Sequence, residues 1–189
     1  MNLEKTSDED IVKKVQNGDA QKFGEIITRF EAKLKRYIYR MIGSNFELED
    51  ILQDVFLKSY KNIQSFNSKM KFSSWIYRIA HNESVNYLKK ARKQREQGGL
   101  EDNMQKDNGE ESMYEKAEKD TGIELIKGCI EKLPAKYKEI ILLRYGEDKS
   151  YEEISDILRK PVSTIGTLIN RATDKLKFIC NEKENGKKQ

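Results

Sequence analysis

Apolar residues recur along this chain at helical spacing, and strand-like alternation is rare. Phe23, Ile26, Ile27 and Phe30 are followed by Leu34, Tyr37, Ile38 and Met41. Steps of three and four line one face of an α-helix. Thr6, Ser7 and Asp8 stand before "EDIVKKV" as capping residues, and Gly43 supplies a stop. "SNFE" at Ser44–Glu47 reads as a capping box opening the next helix. From residue 47 to 63, "ELEDILQDVFLKSYKNI" places Leu48, Ile51, Leu52, Val55 and Ile63 on one arc, which should face a core. Further on, Ile130, Leu133, Tyr137, Ile140 and Ile141 repeat the pattern up to a break at Gly146, and "SYEE" at Ser150–Glu153 is a second capping box. The pattern predicts an all-α protein.

Composition narrows this picture. Of 189 residues, 37% are hydrophobic and 36% charged, so the helices must be two-faced and each core small. Charge is unevenly spread. Residues 1–93 hold 18 basic and 12 acidic side chains, residues 94–121 hold 4 and 9, and residues 122–189 hold 14 and 11. Two mildly basic blocks flank an acidic one. The middle segment, "QREQGGLEDNMQKDNGEESMYEKAEKDT", has too few apolar residues to offset the entropy of ordering. We expect two small helical domains, 1–93 and 122–189, joined by a flexible acidic linker over 94–121.

Several functions are set aside. No apolar run approaches the ~18 residues of a membrane span, and the charged N-terminus has no signal-type apolar segment. A cytoplasmic protein is expected, with no membrane insertion. Cys129, Cys180 and the single histidine are too few and too scattered for a structural zinc site, so the cysteines are expected as reduced thiols and no metal or cofactor is expected. His81 has neighbouring Glu83 but no serine or cysteine nucleophile at a telling spacing. No glycine-rich phosphate loop occurs. No catalytic residue is expected.

Three stretches carry candidate binding chemistry. On the 47–63 helix, Asp50, Gln53, Asp54 and Leu57 share the outer arc, and four acids precede the first base, Lys58. The arc reads either as a solvated face with one stray leucine or as a docking surface for a basic partner; alone, the solvated face is the plainer reading. In "KFSSWIYRIAHNESVNYLKKARK", Phe72, Trp75, Ile76, Ile79, Ala80 and Tyr87 form an apolar arc, opposed by Ser74, Arg78, Asn82, Lys89, Arg92 and Lys93. Seven basic residues lie between Lys69 and Lys93 against one acid, Glu83, the footprint expected of a phosphate backbone. The turn before it, "SFNSKMKF", sets Phe66 and Phe72 around polar residues; aromatics beside a basic face can hold unstacked bases or simply be core.

The third stretch is "SYEEISDILRKPVSTIGTLINRATDKLKFI". A short helix with Ile154, Ile157 and Leu158 inward leads through Arg159–Lys160 and Pro161 into a longer helix. That helix has a core stripe of Ile165, Leu168, Ile169, Ala172, Leu176 and Ile179. Ser163, Thr164, Thr167, Asn170, Arg171 and Lys175 lie on its outer face. Short helix, tight turn and longer helix match the DNA-binding helix–turn–helix, whose second helix enters the major groove by its N-terminus.

Taken in order, these stretches resemble the extracytoplasmic function class of bacterial RNA polymerase sigma factors over nearly the whole chain. "EDILQDVFLKSYKNI" looks like the family's polymerase-binding helix, "FSSWIYRIAHNESVNYLKKARK" like its −10 element helix, and "LPAKYKEIILLRYGEDKSYEEISDIL" with "STIGTLINRATDKLK" like its −35 domain. The resemblance implies that Asp50, Gln53, Asp54 and Leu57 dock on the clamp of the polymerase's largest subunit, with the flap a further contact. It implies that Phe66, Asn67, Lys69, Phe72 and Trp75 capture the melted −10 non-template strand, with Arg78, Asn82 and Lys89 along its backbone. Ser163, Thr164, Thr167, Asn170, Arg171 and Lys175 would read −35 duplex DNA.

Activity in this family is usually restrained by an anti-sigma factor, often membrane-anchored. Two departures stand out. Gly166 and Leu168 occupy positions often basic in the family, and Arg159 replaces the usual turn glycine. The neighbouring clostridial toxin-gene activators have similar architecture. A conventional dimeric helix–turn–helix regulator and a nucleic-acid enzyme built on His81 are rivals from other classes.

Overall fold

The computed structural model describes residues 6–98 and 121–185. Among the described residues there is no strand. The helices are α1 (Asp8–Gln16), α2 (Phe23–Ile42), α3 (Leu48–Lys61), α4 (Phe72–Gly98), α5 (Thr121–Ile130), α6 (Ala135–Ile141), α7 (Tyr151–Leu158) and α8 (Val162–Asn185). The all-helical expectation holds. The chain divides into two compact units. Helix α4 continues to Gly98, five residues into the segment read as a linker; residues 99–120 lie outside the described residues.

In the first unit, α2 and α3 pack on each other and on α4, with α1 laid against α2 and α4. Ser7 caps α1, its Oγ accepting from the Asp10 amide at 3.1 Å. Arg29 of α2 reaches back to Asp8 at 2.7 Å. The predicted stripe of α2 is buried from Phe23 to Met41 except for half-buried Ile27, and the helix ends at Gly43 with φ 72°, a left-handed cap that favours glycine. The inward arc of α3 is buried as its spacing predicts, joined by Phe56 and by Ser59, whose hydroxyl donates to the Val55 carbonyl.

Two local expectations are corrected here. The "SNFE" capping box does not form. Ser44 Oγ accepts from the Phe46 amide instead, and Glu47 sits at the cap position without a side-chain cap bond. Glu47 is drawn to the Tyr87 hydroxyl of α4; burial first, then that hydrogen bond, push the phenol up to about 12. A contact distant in sequence has outbid a local one. Ser74, assigned to the outer arc of α4, is buried. The first turns of α4 are enclosed on both sides, so the two-faced pattern holds only further along the helix.

In the second unit, α5 and α6 pack on α8, and α7 leads into α8. Ile140, Ile141, Leu142 and Leu143 are buried. The break predicted at Gly146 is a π turn over Leu142–Gly146, closed by the Glu147 amide bonding the Leu142 carbonyl at 2.9 Å. The "SYEE" box forms: Ser150 N donates to Glu153 Oε2 at 2.9 Å, and Glu153 N donates to Ser150 Oγ at 3.2 Å. Ile165, Ile169 and Ala172 of α8 are buried, whereas Leu168 and Leu176 are half-buried, so the core stripe is narrower than predicted. Cys129 and Cys180 are joined by a disulfide between α5 and α8. This corrects the expectation of two isolated thiols: helix packing brings residues 51 apart in sequence to a Cα separation of 5.5 Å.

Candidate nucleic-acid interface

Three surfaces follow from this framework. The outer arc of α3 exposes Asp50, Gln53, Asp54 and Leu57, with Leu57 45% accessible. Glu49 on the same side is engaged by Lys35 of α2, and Lys58 by Glu83 of α4. Neither Asp50 nor Asp54 is paired with a cation among the described residues. The face thus offers an apolar side chain ringed by unneutralised carboxylates, suited to a basic partner with an apolar contact at its centre.

The second surface is the loop between α3 and α4. A short 3-10 turn, Ile63–Ser65, runs into a polar turn in which Met70 N bonds the Asn67 carbonyl and Lys69 N bonds Asn67 Oδ1 at 3.0 Å. Asn67 and Lys69 are exposed. With one bond to Oδ1, Asn67 still has its amide hydrogens and a second Oδ1 lone pair to offer. Phe66, Phe72 and Trp75 lie beneath, 5%, 0% and 9% accessible. Their rings form a mutual cluster with centroids 5.3–5.5 Å apart, and Phe72 also packs edge-on against Phe30. The three aromatics assigned to base capture are therefore the floor under the loop, and the polar side chains are its exposed rim. Beyond it on α4, Arg78 is half-exposed, and Asn82 and Lys89 are exposed.

His81 ties two helices of the first unit together. Its Nδ1 lies 3.2 Å from the hydroxyl of fully buried Tyr37, anchoring α4 to α2.

The third surface is the start of α8. The α7–α8 turn depends on Arg159 with φ 52°, the left-handed conformation in which glycine is commonly found. Ser155 Oγ closes the turn by donating to the Lys160 carbonyl at 2.6 Å. The Pro161 carbonyl then accepts from the Thr164 and Ile165 amides, starting α8. Ser163, Thr164, Thr167, Asn170, Arg171 and Lys175 are all exposed along it. The Thr167 hydroxyl donates back to the Ser163 carbonyl, and Lys175 lies over the Phe178 ring at 4.9 Å. A β-carbon at Gly166 would meet the Tyr151 ring at 3.7 Å, ordinary contact.

Sequence reasoning passed over a neighbouring group. Arg144 lies 5.9 Å from both the Tyr145 and Tyr151 rings and donates to the Lys149 carbonyl. Only the π turn brings it there.

Among the described residues no cluster could hold a metal ion, and no helix is long and apolar enough to cross a membrane.

Comparison with known proteins places both units in known families. Residues 26–94 match the family model for sigma-70 region 2, and residues 123–176 match that for sigma-70 region 4. The chain is 35% identical over 177 residues to the ECF RNA polymerase sigma factor SigW of Bacillus subtilis strain 168, covering 88% of this chain and 92% of that one. It is 32% identical over 183 residues to the ECF RNA polymerase sigma-E factor of Haemophilus influenzae, covering 90% and 94%. Its fold is shared with the sigma factor RpoE of Bartonella quintana, solved with the anti-sigma factor NepR, at a TM-score of 0.67 and 20% identity over 84% of this chain and 96% of that one. The chain belongs to the extracytoplasmic function class of RNA polymerase sigma factors, non-enzymatic proteins of transcription initiation.

Proposed function

We propose that this sigma factor binds core RNA polymerase through the acidic arc of α3, captures the melted −10 non-template strand at the α3–α4 loop and α4, and reads −35 duplex DNA with the start of α8. The observation that carries the reading is in the first unit. The exposed arc of Asp50, Gln53, Asp54 and Leu57 lies on α3, and the exposed polar rim of Asn67 and Lys69 follows in the next loop. An anionic face suits a basic protein surface; a cationic, amide-bearing rim suits a polyanion.

The buried aromatics refine the residue roles. Asn67 and Lys69 touch the strand, whereas Phe66, Phe72 and Trp75 fix the shape of the loop that presents them. Arg78, Asn82 and Lys89 follow the backbone. On α8, Asn170 and Arg171 carry side chains able to reach base edges or phosphates, and Lys175 adds charge. With Gly166 and Leu168 contributing no cation, −35 affinity leans on polymerase docking through effective concentration.

The working division is 1–93 for polymerase and −10 contacts, 94–121 as an acidic connection, and 122–189 for the −35 element. The protein acts in the cytoplasm, and an anti-sigma factor covering these surfaces restrains it. A relative of like fold was solved with such a partner.

Run-off transcription with purified core polymerase on a promoter library tests the reading. Specific initiation only in the presence of this chain supports it. Sequence-specific duplex binding by the protein alone, with no initiation, overturns it in favour of a conventional helix–turn–helix regulator.

A further inference from the structure

Helix α1 has no place in the three surfaces above, yet its side chains hold both ends of the α3–α4 loop. Gln16 Nε2 donates to the carbonyls of Ile63 and Phe66, at 2.8 and 3.0 Å. Gln64 Nε2 returns a bond to the Gln16 carbonyl at 3.1 Å. At the far end of the loop, Glu9 Oε1 accepts from the Phe72 amide at 2.8 Å. That amide opens α4 and has no partner within the helix.

The spacing of these contacts matters. Between the two anchors lie the turn residues Asn67 to Lys71, so α1 fixes the loop's entry and exit and leaves its exposed rim to solvent. The Phe66 carbonyl is held by Gln16 while the Phe66 ring is held by Phe72 and Trp75, which pins the residue immediately before Asn67 from two sides. An exposed loop of this kind would otherwise sample many conformations and lose entropy on binding a strand.

We propose that α1 is a brace for this loop, with Gln16 and Glu9 as positioning residues that hold Asn67 and Lys69 ready for single-stranded DNA before any DNA arrives. The role in base selection rests on the strand-capture reading above; the brace itself rests only on the hydrogen bonds.

The test compares the full wild-type chain with Gln16→Leu, which keeps bulk and removes both donors. Each is bound to core polymerase and offered a single-stranded DNA library with a short randomised window. Amide hydrogen exchange over residues 63–72 is measured in parallel. We expect Gln16→Leu to exchange faster in this segment and to lower enrichment of the wild-type motif over its scrambled form by about tenfold, with core-polymerase affinity unchanged. Glu9→Gln, which keeps an acceptor, should match wild type, and Glu9→Ala should not. This pair carries the same comparison if Gln16→Leu fails to fold. Unchanged exchange in Gln16→Leu and Glu9→Ala overturns the brace. Faster exchange with full motif enrichment overturns the positioning role. A wild-type chain that enriches no motif counts against strand capture instead, and the exchange measurement still decides the brace.

Discussion

Cys129 of α5 and Cys180 of α8 form a disulfide that closes 51 residues of sequence and ties the two ends of the second unit together. Cross-linking a loop of that length removes chain entropy from the unfolded state worth up to about 4 kcal/mol. Cys180→Ala, or reduction with dithiothreitol, should lower the midpoint of thermal unfolding of the second unit and leave the first unit's unchanged. Domain-resolved hydrogen exchange or tryptophan fluorescence, which reports the first unit through Trp75, checks this. Identical melting with and without reductant would refute the stabilising role.

Asp54 stands on the α3 arc one helical turn before exposed Leu57. Reversing its charge should weaken core-polymerase binding by on the order of tenfold or more. Stability should hardly change, since the side chain is exposed. Fluorescence anisotropy of labelled protein titrated with core polymerase gives the affinity, and wild-type binding by Asp54→Lys would remove this face from the docking surface.

Arg159 holds a φ of 52° without being glycine. A left-handed residue with a β-carbon costs ~1–2 kcal/mol, offset in part by the greater freedom glycine has when unfolded. Arg159→Gly should therefore stabilise the α7–α8 turn by about 1 kcal/mol in urea unfolding.

Glu139 of α6 is pushed up to about 7 by burial, opposed by the charge of Lys160. A carboxyl with a folded value above its unfolded one binds more protons when folded. Stability should then fall as pH rises from about 4.5 to about 7, and the loss persists above that. Glu139→Gln should flatten the dependence and stabilise the second unit at pH 8 by up to about 3 kcal/mol. Urea midpoints from pH 5 to pH 8 measure this; parallel curves for variant and wild type would contradict it.

His81 bonds the hydroxyl of buried Tyr37. Removing that partner by His81→Ala should cost about 1–2 kcal/mol while leaving run-off transcription near wild type at low temperature. Total loss of transcription in a folded variant would assign the histidine a direct role.

Periodicity and caps are legible in the amino-acid sequence alone. The helical stripes of α2, α3 and α8, the caps at Ser7 and Ser150–Glu153, and the stop at Gly43 depend on residues within a few positions of each other, so local spacing suffices to read them. The acidic arc and the outer face of α8 follow from the same spacing, since the side opposite a core stripe is exposed. Arg159 is visible in the sequence only as a departure from a familiar glycine; its φ of 52° belongs to the turn it closes.

What the tertiary structure decided involves residues far apart in sequence. Whether Ser74 faces solvent depends on what else packs around the first turns of α4. Glu47 abandons a local cap because α4 brings Tyr87 within reach. Cys129 meets Cys180 because α5 and α8 pack together. Gln16 finds the Ile63 and Phe66 carbonyls because α1 lies beside a loop nearly 50 residues away. A one-dimensional pattern fixes which face of a helix is apolar. It carries no record of which neighbour covers that face, and here the neighbours determine which side chains stay exposed and which hold the scaffold.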